Sequence, residues 1–208
     1  MTRPPSFVYF DLGNVLLKFD HHRGARQMAA VAGVSAELVW EVVFAGSLEH
    51  AYEAGQLTSH QFHAEFCRLT GSQPDRDQLL TAAADIFELN PTVVPLVAHL
   101  HAVGYRLGIL SNTNEAHWNF VSRGRYAVLK YFFSVHALSY ELQSMKPEPE
   151  IYAAAARLAQ TPPEQIFFTD DRPENVAGAQ AAGFDAVQFH DAQQLAAELR
   201  ARNIRWNF

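Results

Sequence analysis

Five short apolar runs, each halting at a polar residue, recur along the chain and limit what it can fold into: FVYF before Asp11, YRLGIL before Ser111, FFSVHAL before Ser139, IFF before Thr169 and AVQF before His190. They are apolar throughout, where a strand with one wet face would alternate, so they predict strands of a parallel sheet buried on both faces. Helical patterns with legible ends lie between them. Asn90-Pro91 predicts an N-cap followed by proline at the first helical position, Val93, Val97 and Leu100 share a face, and Gly104 predicts the stop. Pro149 to Gln160 sets Ile151, Ala155 and Leu158 on one stripe, and Pro173 to Ala182 ends at Gly183. Strands and helices alternating through turns this short predict an α/β fold, a doubly wound and mostly parallel sheet.

One stretch breaks the alternation. From about His21 to Leu89 the patterns are helical and no strand is predicted. Within it Thr58 and Gln61 fit a capping box, Phe62, Phe66 and Leu69 stand at i, i+4 and i+7, and Gly71 predicts a C-terminal stop. The expected organisation is therefore an α/β core formed by residues 1–18 and 91–208, with residues 19–90 inserted after the first strand as a helical cap. Both ends of such an insertion return to the sheet edge that carries Asp11, so it would cover whatever Asp11 does.

Composition narrows the partners. With 208 residues, 49% of them apolar, the chain is long enough to bury a sizeable core. Sixteen Lys and Arg against 22 Asp and Glu give a net charge of −6 with no block of one sign, which argues against nucleic acid, since phosphate-backbone binding needs clustered positive charge. A single cysteine, Cys67, rules out an internal disulfide and a thiolate zinc cluster. No stretch is long and apolar enough for a membrane span, and MTRPPSFVYFDLG lacks the apolar segment and cleavage site of a signal peptide, so a cytoplasmic location is expected.

In open α/β sheets ligands bind outside the carboxyl ends of the strands, where the strand order reverses. The predicted strands bring Asp11, Ser111-Asn112-Thr113, Lys146 and Asp170-Asp171 to that rim. Each has an ordinary reading as a turn or cap residue. Together they are three carboxylates, a hydroxyl, an amide and an ammonium. Three acids so placed repel one another unless a cation holds them, and a hard dication with oxygen ligands, Mg²⁺, fits. Lys146 and Ser111 would take the remaining oxygens of a phosphate, and an acid free to attack phosphorus can form an aspartyl-phosphate. Such a rim suits phosphoryl transfer, where positioning and charge neutralisation supply most of the catalysis.

The ordered series DLGNV at Asp11, LGILSNTN at Ser111, MKPEPEIY at Lys146 and FFTDDRPENVAGAQAAG at Asp170 and Asp171 resembles the four motifs of the haloacid dehalogenase-like hydrolases. More narrowly, it is similar to the branch of small phosphatases with a helical cap, which includes bacterial α-glucose-1-phosphate phosphatases and the phosphatase domain of soluble epoxide hydrolase. The resemblance implies a Mg²⁺-dependent phosphatase of a small phosphorylated metabolite, a sugar phosphate by analogy, with Asp11 as nucleophile. It implies metal ligation by Asp11, the backbone carbonyl of Gly13 and Asp171, with Asp170 in support. Ser111 and Asn112 would hold the phosphoryl group, and Lys146 would bridge nucleophile and phosphate.

The sequence departs from the resembled pattern at Gly13, where most such phosphatases carry a second acid that protonates the leaving group. A backbone carbonyl survives there, but the side-chain acid is gone, and general acid–base catalysis is worth roughly 10²–10⁴ in rate. Two further readings follow: a metal- and phosphate-binding regulatory module with little turnover, and a metal-free haloacid dehalogenase. Among the ten histidines, His60, His63, His99 and His101 show no metal-ligand spacing and are expected at or near the surface. His117 follows the Ser111 loop and could face the rim, although a structural role is favoured. His50 and Glu53, in SLEHAYEAGQLT, are candidate substrate contacts. Asn175 is as fitted to a buried structural amide as to the site, and Cys67 reads as a packing residue.

Overall fold

The computed structural model describes residues 5–204. The first and last four residues, which the expected core boundaries include, lie outside the described residues. Strand β1 (Phe7–Phe10) leads through β2 (Leu17–Phe19) into helices α1 (His21–Ala32) and α2 (Ala36–Val39), a π-helical turn at Trp40–Phe44, α3 (Leu48–Glu53), α4 (Ser59–Thr70) and α5 (Arg76–Ala84). The chain returns through β3 (Phe87–Leu89) to α6 (Val94–Ala102), β4 (Arg106–Ser111), α7 (Glu115–Ser122), α8 (Ala127–Phe132), β5 (Val135–Leu138) and α9 (Ser139–Leu142). It ends with α10 (Pro149–Ala159), a short 3₁₀ turn, β6 (Ile166–Asp170), α11 (Pro173–Ala181), β7 (Asp185–Gln188) and α12 (Ala192–Ala201).

The five strands expected from the apolar runs form one parallel sheet in the order β5-β4-β1-β6-β7. From β1 the order runs to β4 and β5 on one side, then jumps across to β6 and β7. The reversal therefore falls at β1, whose carboxyl end lies between those of β4 and β6. Alternate residues of β1 serve two cores. Val8 and Phe10 join Leu107, Ile109 and Phe167 under α6, α7, α8 and α12, while Phe7 and Tyr9 join Leu110 and Phe168 under α10 and α11. Burying each of these side chains contributes about 1.5–3 kcal/mol, so β1 is held from both faces of the sheet. Its neighbour β4 comes close enough that a Cβ on Gly108 would lie 2.4 Å from the Tyr9 ring, which explains a glycine in a central strand.

Helices α1 to α5 gather around a third core of Met28, Val43, Leu48, Phe62, Phe66 and Leu79. The Thr58 capping box is present, with Gln61 N–H donating to Thr58 Oγ1 and Thr58 N–H to Gln61 Oε1, and Gly71 ends α4 at φ 69°. Three expectations need correction. The stretch 21–89 is not free of strand, because Phe87–Leu89 pairs antiparallel with Leu17–Phe19 and ties the departing and returning chain together; three residues are too few to carry a period. Helix α6 starts at Val94 rather than after Asn90, because the Asn90 side chain binds Thr92 and the carbonyl of Val15 and so closes a turn against the β1–β2 loop. Leu69 and Leu158 are exposed, since each lies in the last turn of its helix, past the layer that covers the rest of the stripe. Among the described residues no single helix is long and apolar enough to cross a membrane.

Candidate active site

Asp11 follows β1 directly, its N–H bound to Thr169 C=O at 3.0 Å, so its carboxylate emerges beside the end of β6. Asp11 Oδ1 accepts from Leu12 N–H at 2.7 Å and lies 2.8 Å from Lys146 Nζ. The same ammonium donates to Asp170 Oδ2 at 2.5 Å and to the Leu110 carbonyl at 3.0 Å, which uses its three protons in a buried position. Lys146 reaches the rim because the Asn112 amide clamps its backbone, Oδ1 accepting from Lys146 N–H at 2.8 Å and Nδ2 donating to Lys146 C=O at 2.9 Å. The Asn112 side chain is thereby committed to the Lys146 backbone. Ser111 Oγ is buried at the end of β4 and makes only a long 3.3 Å bond to the next carbonyl.

The two acids after β6 are not alike. Asp170 is fully buried and saturated, accepting from Lys146, from Arg172 N–H at 2.9 Å and from Asn175 Nδ2 at 3.0 and 3.1 Å. Asp171 is partly exposed, and its Oδ2 accepts from Asn14 Nδ2 at 3.0 Å. One oxygen from each of Asp11, Asp170 and Asp171 lies within 4.8 Å of the others. Three ionised carboxylates against one ammonium leave two negative charges uncompensated, and the free valences belong to Asp11 and Asp171. That hard-oxygen donor set fits a divalent cation such as Mg²⁺, with Asp170 bracing Lys146. Burial pushes Asp11 up to about 7, with Lys146 opposing the rise and Asp170 and Asp171 adding to it.

Asp11, Lys146 and Asp171 line one cavity of about 230 Å³, which also receives Gly13, Ser111 and Asn112 from the core and His21, His50 and Glu53 from the helical segment, while Asp170 lies buried behind it. Asn14, Phe19, Ser139 and the pairing of Asn175 with Asp170 were not legible beforehand. Asn14, at φ 55°, could have been suspected, since asparagine tolerates the left-handed turn of the DLGN stretch. His50 is exposed at the mouth, His60 and His101 are exposed elsewhere, and His63 and His99 are half-buried. Cys67 is buried among packing residues.

His117 lines the inner wall, but both ring nitrogens are engaged: Asn114 Nδ2 donates to Nδ1 at 3.1 Å, and a backbone bond joins the ring to Ala83. Burial foremost, and then His21, pushes it down from 6.5 to about 3. A base whose folded pKa lies below its unfolded one adds stability that is complete above pH 6.5 and declines as pH falls towards 3, by about 1.4 kcal/mol per pH unit. The buried carboxyls work in the opposite direction, so the measurement is a difference. Between pH 6.5 and 5, wild type is expected to lose about 2 kcal/mol relative to His117→Phe in urea unfolding; parallel pH slopes would remove this role for His117.

A strand-end carboxylate bridged by a buried lysine to a second acid, with a third acid and a serine on the same rim, is an arrangement suited to phosphoryl transfer. The chain belongs to the haloacid dehalogenase-like hydrolase family, which it matches over residues 7–183. It is 26% identical over 196 residues to a glyceraldehyde 3-phosphate phosphatase of Methanopyrus kandleri, covering 87% of this chain and 82% of that one. It is 23% identical over 188 residues to a D-ribitol-5-phosphate phosphatase of Bacteroides thetaiotaomicron, covering 87% and 90%. Among solved structures it resembles a family enzyme of Bacteroides thetaiotaomicron in complex with magnesium and inorganic phosphate, with a TM-score of 0.78, 26% identity and coverage of 90% of this chain and 95% of that one.

Proposed function

We propose that this protein is a Mg²⁺-dependent phosphatase of a small phosphorylated metabolite, a sugar or polyol phosphate, that works through an aspartyl-phosphate on Asp11. The observation that carries this is the Asp11 carboxylate, bound through one oxygen by Leu12 N–H and Lys146 at the point where the sheet order reverses. With Oδ1 so held, Oδ2 attacks phosphorus, and Lys146 with the Ser111 hydroxyl and the Asn112 backbone receives the phosphoryl oxygens. Asp11, the Gly13 carbonyl and Asp171 would hold the metal while Asp170 fixes Lys146. Bound Mg²⁺ would neutralise charge between carboxylates and phosphate. Residues 19–90 act as a cap on the core of residues 1–18 and 91–208, with His50 at the mouth sorting substrates. The names of the two phosphatase relatives and the cavity of about 230 Å³ favour a small polyol or sugar phosphate.

The test is phosphate release from p-nitrophenyl phosphate, ribitol 5-phosphate and glyceraldehyde 3-phosphate with Mg²⁺ or with EDTA. Turnover is expected with the metal, falling at least ~10²-fold in EDTA and returning on adding Mg²⁺. Tight binding of Mg²⁺ and phosphate without turnover would instead support the regulatory module, and dehalogenation of a 2-haloacid in EDTA the metal-free enzyme.

A further inference from the structure

An alkoxide leaving from a sugar or polyol phosphate needs a proton as the P–O bond breaks, and residue 13, two positions after Asp11, offers none. Nor is there room to supply one: a Cβ on Gly13 would lie 2.9 Å from Phe19 Cε1, and that ring is packed against Phe87 and His21. The proton carrier must come from another wall of the cavity. His117 has both nitrogens engaged. His21 lies with its ring against Phe19 and Phe44, each at 4.8 Å, and turns Nε2 towards Glu49 at 3.6 Å. His50 and Glu53 remain; His50 is exposed at the mouth, whereas Glu53 is partly buried and anchored against the core.

We propose that Glu53, from the helical segment, is the general acid and base of the reaction; this rests on the phosphatase reading above. The end of α3 is fixed against the core by three independent contacts. Ser139 Oγ donates to the Glu53 carbonyl at 2.6 Å, and the same hydroxyl oxygen accepts from Thr113 N–H at 2.9 Å, just beyond the Ser111-Asn112 loop. Tyr52 Oη accepts from Ala116 N–H at 3.1 Å. Gly55 approaches the chain so closely that a Cβ there would lie 2.3 Å from the Tyr140 carbonyl. Glu53 is thus seated by backbone contacts rather than carried on a loose loop, as a proton donor must be.

The surroundings suit the task. Burial pushes the Glu53 carboxyl up to about 7, Asp11 adds to the rise, and Lys146 and Arg172 oppose it. Glu49, on the same helix, is itself held well above its ordinary value by burial and by Glu53; His117 on α7 is neutral and His21 on α1 is held below 6.5. Near neutral pH the group can therefore both give and take a proton. As Asp11 Oδ2 bonds to phosphorus and the P–O bond to the alcohol breaks, the Glu53 proton passes to the departing oxygen. The resulting carboxylate then takes a proton from the water that attacks phosphorus, which releases phosphate and restores Asp11 and protonated Glu53.

The test compares Glu53→Gln with wild type on two substrates in Mg²⁺. On ribitol 5-phosphate, kcat should fall by about 10²–10³-fold. On p-nitrophenyl phosphate, whose leaving group departs without a proton, the burst of p-nitrophenol that reports phosphorylation of Asp11 should slow less than tenfold, while steady-state kcat falls with the loss of the base for the shared hydrolysis step. Wild type on the alkyl phosphate should also show an alkaline limb of kcat near pH 7 that Glu53→Gln lacks, a readout that a purely structural role would not produce. Equal losses in the rate of the phosphorylation step on both substrates, an unchanged rate on the alkyl phosphate, or a wild-type profile without that limb would overturn the assignment. Wild type inactive on both substrates would overturn the phosphatase reading instead.

Discussion

Asp11→Asn is expected to abolish phosphate release, by at least ~10³-fold on every substrate, while leaving the fold as stable as before or more so. The two halves of this expectation have one cause. The carboxylate is buried beside Asp170 and Asp171, and burial disfavours its charge. An amide keeps the shape and an oxygen that can accept from Leu12 N–H or from Lys146, and it removes one of the repelling charges. It cannot, however, act as a nucleophile towards phosphorus. Phosphate release with Mg²⁺ and thermal unfolding in EDTA check the two halves separately. Turnover within tenfold of wild type would eliminate Asp11 as the attacking group. A collapse of the unfolding midpoint together with activity would mean that the charge holds the rim together rather than serving the chemistry.

The strands that place Asp11 were visible in sequence because a parallel sheet covered on both faces leaves its mark in every residue of a short run. The rim was visible for a related reason: a polar residue ending such a run has few places to be other than the crevice outside the sheet. What stayed hidden depends on contacts between segments far apart in the chain. That Phe19 fills the space beside Gly13 follows from the pairing of Leu17–Phe19 with Phe87–Leu89, and neither strand is long enough to show a period. The clamp of the Asn112 amide on the Lys146 backbone joins residues 34 positions apart. Glu53 was a candidate substrate contact in the sequence, but what seats it belongs to the same class. Its helix is short and ordinary in composition, and its place over the rim comes from Ser139, Ala116 and Tyr140, none of which signals a partner from its own local pattern.

Lys146→Met is expected to cost about 3–5 kcal/mol of stability at pH 8 and clearly less at pH 5, and to reduce turnover below detection. The ammonium has the Leu110 carbonyl and two carboxylates as partners, and all its contacts are buried. Methionine fills the volume but leaves Asp11 and Asp170 facing each other without a cation, and Asn175 as the only side-chain donor to Asp170 among the described residues. Removing one member of a buried ion pair strands the other charge, which is where the large cost arises. The pH dependence follows from Asp11. It already stands near 7 with Lys146 in place, and loss of the lysine raises it further, above the unfolded value of 3.8. A carboxyl shifted that way penalises the folded state at high pH, and the penalty lifts as protonation proceeds below the folded pKa. Wild-type Lys146 contributes no such slope in this range, because its own value is raised above 10.5 and its stabilisation is complete throughout. Urea unfolding of both proteins at pH 5 and pH 8, in EDTA so that no cation substitutes for the ammonium, measures the difference. A penalty equal at the two pH values would mean that the lysine matters for its packed methylenes, and its charge would lose the central place at the rim.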